Sequence, residues 1–132
     1  MMKLLIVTLL CLLSILSTSQ TQLKMNKDAA NEGQRADVQL NLVYQSILKE
    51  YKDDKVFIIN LKIAQRLWIQ FRDAELKARY PDREQGYYGS IQPMCWSSYL
   101  NELTEERTKR LKIWLVGINE GDGCTGSVKT NH

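Results

Sequence analysis

From Ala36 onward, the apolar positions Ala36, Leu40, Val43, Ile47 and Tyr51 recur at steps of three and four, the spacing that lines one side of a helix. Asn26 or Asn31 is available to cap its start, and the polar run KEYKDDK (49–55) ends or bends it. A second helix is predicted over Asp54–Tyr80. Asp53 or Asp54 serves as its N-cap, and Tyr80-Pro81 stops it, because proline disfavours helical backbone in the residue before it. This segment carries two apolar stripes, one of Phe57, Leu61, Ala64, Trp68 and Phe71, the other of Ile59, Ile63, Leu67 and Ala74. Two stripes imply two neighbours, which predicts the central helix of a bundle. Residues 81–92 (PDREQGYYGSIQ) form the longest internal loop. Pro93 can open a third helix in its first turn, where a missing N–H costs nothing. Leu100, Leu103, Arg107, Leu111, Trp114 and Ile118 keep helical spacing, which carries this helix to about Leu115, and Gly117 and Gly121 punctuate its end. No segment sustains a two-residue alternation. The predicted fold is all-α, a small antiparallel bundle of about three helices with a long loop between the second and third.

The ends of the chain depart from this pattern. Met1-Met2-Lys3 precedes Leu4–Leu16, apolar except for Thr8 and Ser14, and Ser17 and Ser19 follow. A basic start, a short apolar run and small residues are the parts of a secretory signal peptide, and the run falls short of the ~20 apolar residues a bilayer span needs. Residues 1–19 are read as that signal, 20–35 as a flexible leader and 36–132 as the helical domain with a C-terminal tail. Lipidation at Cys11 is disfavoured, because Leu10 stands where a small residue is expected. The expected location is periplasmic or secreted, with no mature transmembrane anchor.

The chain has 18 basic and 15 acidic residues; loss of residues 1–19 removes only Lys3 and leaves a balance of +2. With no dense Lys/Arg run, a solvated mixed-charge surface is the reading, and no nucleic-acid partner is expected. Removal of Cys11 leaves Cys95 and Cys124. In an oxidising compartment an even pair predicts a disulfide tying the tail to the domain; the alternatives are two thiols, or pairing with another chain.

Little catalytic chemistry is available. The single histidine is the last residue, His132, and no G-x-S-x-G, C-x-x-C, H-E-x-x-H or Walker motif occurs. GDGCTGS (121–127) lacks the P-loop lysine. Asp73 and Glu75 are candidates for paired-carboxylate hydrolysis, with Glu102, Glu105 and Glu106 nearby in sequence, but acids two apart on a helix do not share a face. No catalytic residue, metal site or cofactor is expected. Two features remain for binding or fold. The turn GYYGS (86–90) places Tyr87 and Tyr88 between glycines, either as a partner anchor or folded back over the bundle. In QRLWIQFRDAE (65–75), Arg72 emerges beside Trp68. Arg107 interrupts an apolar stripe of the third helix, so it needs a partner, for which Asp73 or Glu75 is the candidate.

Taken in order, LNLVYQSILKEY (40–51), AQRLWIQFRDAE (64–75), YGSIQPM (88–94) and YLNELTEERTKRL (99–111) resemble the N-terminal domain family of LprI-type lysozyme inhibitors. The matching positions are Leu40, Asn41 and Tyr44; Gln65, Trp68, Phe71, Arg72 and Asp73; Gly89 and Ser90; and Leu103, Thr104, Arg107 and Leu111. The resemblance implies an exported, non-enzymatic helical domain that binds a lysozyme; an envelope module with a structural or small-ligand role is the alternative. It makes Gln65, Trp68, Phe71, Arg72, Asp73, Thr104 and Arg107 a structural motif and directs the search for a binding surface to Tyr87, Tyr88, Gly89 and Ser90 and to Glu102, Glu105 and Glu106. Where family members often carry cysteines, this chain has Leu76 and, approximately, Tyr99.

Overall fold

A computed structural model of the chain describes the backbone of residues 2–121 and 123–131 and the side chains of residues 19–121 and 123–131. Helix α1 spans Met2–Glu50, α2 Lys55–Arg79, α3 Gln92–Leu111 and the single-turn α4 Ile113–Val116. Two short strands, β1 (Ile118–Asn119) and β2 (Thr130–Asn131), pair in parallel, with Ile118 opposite Thr130. The fold is mainly all-α, as the patterning predicts. The signal-peptide reading, Cys11 and His132 rest on side chains outside the described residues.

The helix boundaries follow local chemistry. The Asp54 carboxylate accepts from the Phe57 amide at 3.0 Å, capping α2, and the Tyr80 amide donates to the Leu76 carbonyl at its other end, one residue before Pro81. Pro93 sits in the first turn of α3. The segment 20–35, expected as a leader, is helical and lies within α1, and among the side chains described from residue 19 onward the first buried one is Ala29. Gly33, a poor helix former, is tolerated within it.

The core joins Leu40, Val43 and Ile47 of α1, Phe57 and Leu61 of α2 and Leu111 of α3. The closest-packed pair is α1 with α3. Small side chains allow this approach: Ala36 on α1, Thr104 and Thr108 on α3, all buried. The buried hydroxyls are satisfied within α3, Thr104 donating to the Leu100 carbonyl at 2.8 Å and Thr108 to the Thr104 carbonyl at 2.9 Å. Helix α2 runs antiparallel to both and packs less closely. Its start meets Tyr51, just past the end of α1, and Trp114 of α4, with Phe57 4.9 Å from the Tyr51 ring and 5.8 Å from that of Trp114.

Helix α2 is therefore not the centre of the bundle. Its second stripe is solvent-exposed: Ile59 is 59 %, Ile63 47 % and Leu67 57 % exposed. Phe71, expected in the first, buried stripe, is 56 % exposed, because it sits at the stripe's edge and turns away from α1 and α3. Trp68 is half-buried against the core.

The tail folds back onto the end of the bundle opposite the long loop. The Tyr51 hydroxyl donates to the Trp114 carbonyl at 2.9 Å and accepts from the Lys129 amide at 3.1 Å, and Lys129 pairs with Glu50. Gly117 makes the close turn with φ of 81°, and a Cβ there would lie 2.5 Å from the Asn131 side-chain oxygen. Among the described residues the expected Cys95–Cys124 bond is not formed. Cys95 lies in the first turn of α3, roughly 24 Å along the helix from Leu111 at the rise of an α-helix, and the tail is held beyond Leu111. A disulfide needs Cα atoms within about 7 Å. Replacing Tyr51 with phenylalanine removes two hydrogen bonds and should cost about 1–3 kcal/mol. Urea unfolding together with faster amide exchange at Lys129 would show it; unchanged exchange would mean the tail is held by other contacts.

Candidate functional site

The RDAE motif and Arg107 converge on Trp68. The Arg72 guanidinium lies 5.3 Å and that of Arg107 5.8 Å from the ring centroid. Arg107 donates to the Gln65 side-chain oxygen at 3.0 Å, not to Asp73 or Glu75. Asp73 is exposed and pairs with the adjacent Arg72 at 3.1 Å; Arg72 also reaches Asp37 of α1 at 3.3 Å. Glu75 accepts from the Tyr99 hydroxyl at 3.2 Å. Helix α2 is thus tied to α1 through Arg72–Asp37 and to α3 through Gln65–Arg107 and Glu75–Tyr99. Burial, and then the neighbouring Arg110, push the Arg107 guanidinium below its ordinary pKa. Gln65 offers a neutral acceptor there in place of a counter-charge.

The loop between α2 and α3 is built on two successive turns. The Tyr87 amide donates to the Glu84 carbonyl at 3.1 Å and the Gly89 amide to the Gly86 carbonyl at 3.0 Å. Gly86 and Gly89 hold φ of 86° and 74°, the region open to glycine. The two tyrosines divide the alternatives left by the sequence. Tyr88 folds back, donating to the Pro81 carbonyl at 2.8 Å and meeting Tyr80 edge-on at 5.9 Å. Tyr87 points out, 62 % exposed, with its ring 4.9 Å from that of Tyr88 and the Arg83 guanidinium 5.7 Å away. Beneath them lie Trp96 and Tyr99, 6.0 and 6.5 Å from Tyr80, with Arg79 4.1 Å over the Tyr99 ring. The result is an aromatic platform with two arginines and a cleft of about 260 Å³. Gly89 and Ser90 are exposed at its rim.

Glu102, Glu105 and Glu106 are exposed on α3, and Glu105 accepts from the Asn101 amide at 3.2 Å. They lie ten or more residues into α3, roughly 15 Å from its start by helical rise, so the structure does not merge them with the tyrosine turn. Glu105 instead borders a groove of about 620 Å³ between α1 and α3, with Glu32, Arg35 and Lys109. Among the described residues no group of three or more acidic, cysteine or histidine side chains is arranged to hold a metal ion.

Sequence reasoning missed Arg79, Arg83, Trp96 and Tyr99. The i, i+3 spacing of Trp96 and Tyr99 was an available signal. Asp37, thirty-five residues from Arg72, left none.

These features define a helical domain that presents an aromatic turn on a rigid frame. The chain belongs to the family described as lysozyme inhibitor LprI, which it matches over residues 16–111. It is also similar to the uncharacterized protein R02472 of Rhizobium meliloti (strain 1021), 35 % identical over 104 residues that cover 70 % of this chain and 72 % of the relative. No solved structure matches the chain.

Because the Gln65 side chain is 8 % exposed, Arg107→Ala leaves its oxygen without this donor and should cost about 1–3 kcal/mol in chemical denaturation. Asp73→Asn should leave the unfolding midpoint almost unchanged, since exposed ion pairs contribute ~0–1 kcal/mol. The reverse order of effects would return Asp73 to the role of Arg107's partner.

Proposed function

We propose that this protein is an exported inhibitor that binds a lysozyme and blocks it without chemistry of its own, and that the turn around Tyr87 enters the enzyme's cleft. The family match over residues 16–111 carries the first part, and the signal-like start of the chain supports export. Tyr87 supports the second: it projects from a turn whose backbone is fixed by hydrogen bonds and two positive-φ glycines, so little ordering entropy is lost on binding. Glycoside hydrolysis by the usual carboxyl pair makes a lysozyme cleft locally acidic. A projecting tyrosine with Arg83 beside it complements that cleft, and Glu102, Glu105 and Glu106 complement the basic outer surface common among lysozymes. The cleft under the turn, lined by Tyr80, Asp82, Arg83 and Trp96, supports the second reading, a small-ligand module of the envelope.

Lysis assays with purified protein separate the two. The parent should slow lysis, and Tyr87→Ala and Arg83→Ala should each weaken inhibition by roughly tenfold or more, as truncated hot-spot residues do, with unchanged melting temperature. No inhibition of several lysozyme types at micromolar protein would leave the small-ligand reading. Inhibition insensitive to the turn but abolished by charge reversal at Glu102 and Glu106 would move the surface to α3.

A further inference from the structure

Among the described residues the outer face of α2 has no neighbour, and its composition indicates what covers it. Val56, Ile59, Ile63, Leu67 and Phe71 form a continuous apolar ridge, each between 47 % and 71 % exposed. From Ile59 to Phe71 the ridge runs roughly 18 Å at helical rise. A basic side chain stands one residue before three of these, at Lys55, Lys62 and Arg66, and so borders the ridge about 100° around the helix. Lys77 extends that border, and Lys52 lines the groove of about 380 Å³ beside Ile59. Helix α2 carries six basic residues against Asp73 and Glu75, a net of +4 where the whole chain is +3. Both acids are engaged, Asp73 by Arg72 and Glu75 by Tyr99.

We infer that α2 lays this ridge on an anionic lipid surface, its apolar side chains at the headgroup boundary and its lysines and Arg66 on lipid phosphates. An apolar stripe with a basic border is the pattern of an interfacial helix. A second copy would set two helices of like charge against each other, and a basic lysozyme would be repelled in the same way. The contact is peripheral: among the described residues no helix is long and apolar enough to cross a membrane. It leaves the Tyr87 turn, at the end of α2, free for a partner, and does not depend on what that partner is.

Co-sedimentation of the full chain with vesicles tests the inference. Binding to equimolar phosphatidylglycerol–phosphatidylcholine vesicles should exceed binding to phosphatidylcholine alone by at least tenfold and weaken with salt. The double variants Lys62→Glu/Arg66→Glu and Ile63→Gln/Leu67→Gln should each remove that excess while keeping the parent's melting temperature and its lysis-assay behaviour. Variants that bind anionic vesicles like the parent would overturn it, assigning the binding to apolar residues 4–16. So would a loss of self-association, or of lysozyme inhibition, without a change in vesicle binding, since either gives the ridge to a protein.

Discussion

The Trp68 ring, set between two guanidiniums, is the junction on which the arrangement of the three helices depends. Arg72 and Trp68 belong to α2, Arg107 to α3, and Arg72 reaches across to Asp37 on α1. Helices α1 and α3 would pair without it, because alanine and threonine let their backbones approach. Helix α2 offers large side chains inward and stands further off, so its rotation about its own axis is set by a few directional contacts. Gln65–Arg107 is the most buried of them. A neutral acceptor suits that place: a carboxylate would have to be desolvated beside the core, whereas an amide oxygen satisfies the guanidinium at lower cost.

Fixing the rotation of α2 decides what its two faces do. With Gln65 and Trp68 turned inward, Ile63 and Leu67 must point out, since they lie on the other side of the same helical turns. The exposed ridge thus follows from the lock. The same rotation carries Glu75 and Arg79 to Tyr99 at the start of α3, where they brace the base of the aromatic turn. One constraint places the buried motif, the platform under Tyr87 and the outer face of α2.

What the sequence reveals and conceals divides along the range of the forces involved. The limits of α2 and the opening of α3 are readable because Asp54, Pro81 and Pro93 act on neighbours one to three residues away. The helical state of residues 20–35 within α1 is not: they are polar and include Gly33, and among them only the burial of Ala29 marks packing. Periodicity identifies both stripes of α2 but cannot say whether a neighbour exists for the second. Arg107 shows a need for a partner, and the choice of Gln65 over Asp73 depends on a crossing geometry with no local trace. Cysteine parity suggests a bond, yet Cys95 opens the 20-residue α3 and the tail that carries Cys124 follows beyond the other end of that helix.

The Tyr87 turn and the motif around Trp68 divide exposed from packed residues. Motif residues such as Trp68 and Arg107 are strongly constrained because their partners are buried, and a side chain with its contacts already filled has little left to offer a ligand. Tyr87 is the reverse case. Its neighbour Tyr88 takes the anchoring hydrogen bond to Pro81, the glycines hold the backbone, and Tyr87 keeps its exposed ring and hydroxyl. A stiff support with an unspent aromatic tip is what favours tight binding, since the cost of ordering the turn has been met in folding. Function in this domain is therefore to be sought at the residues the core leaves unused.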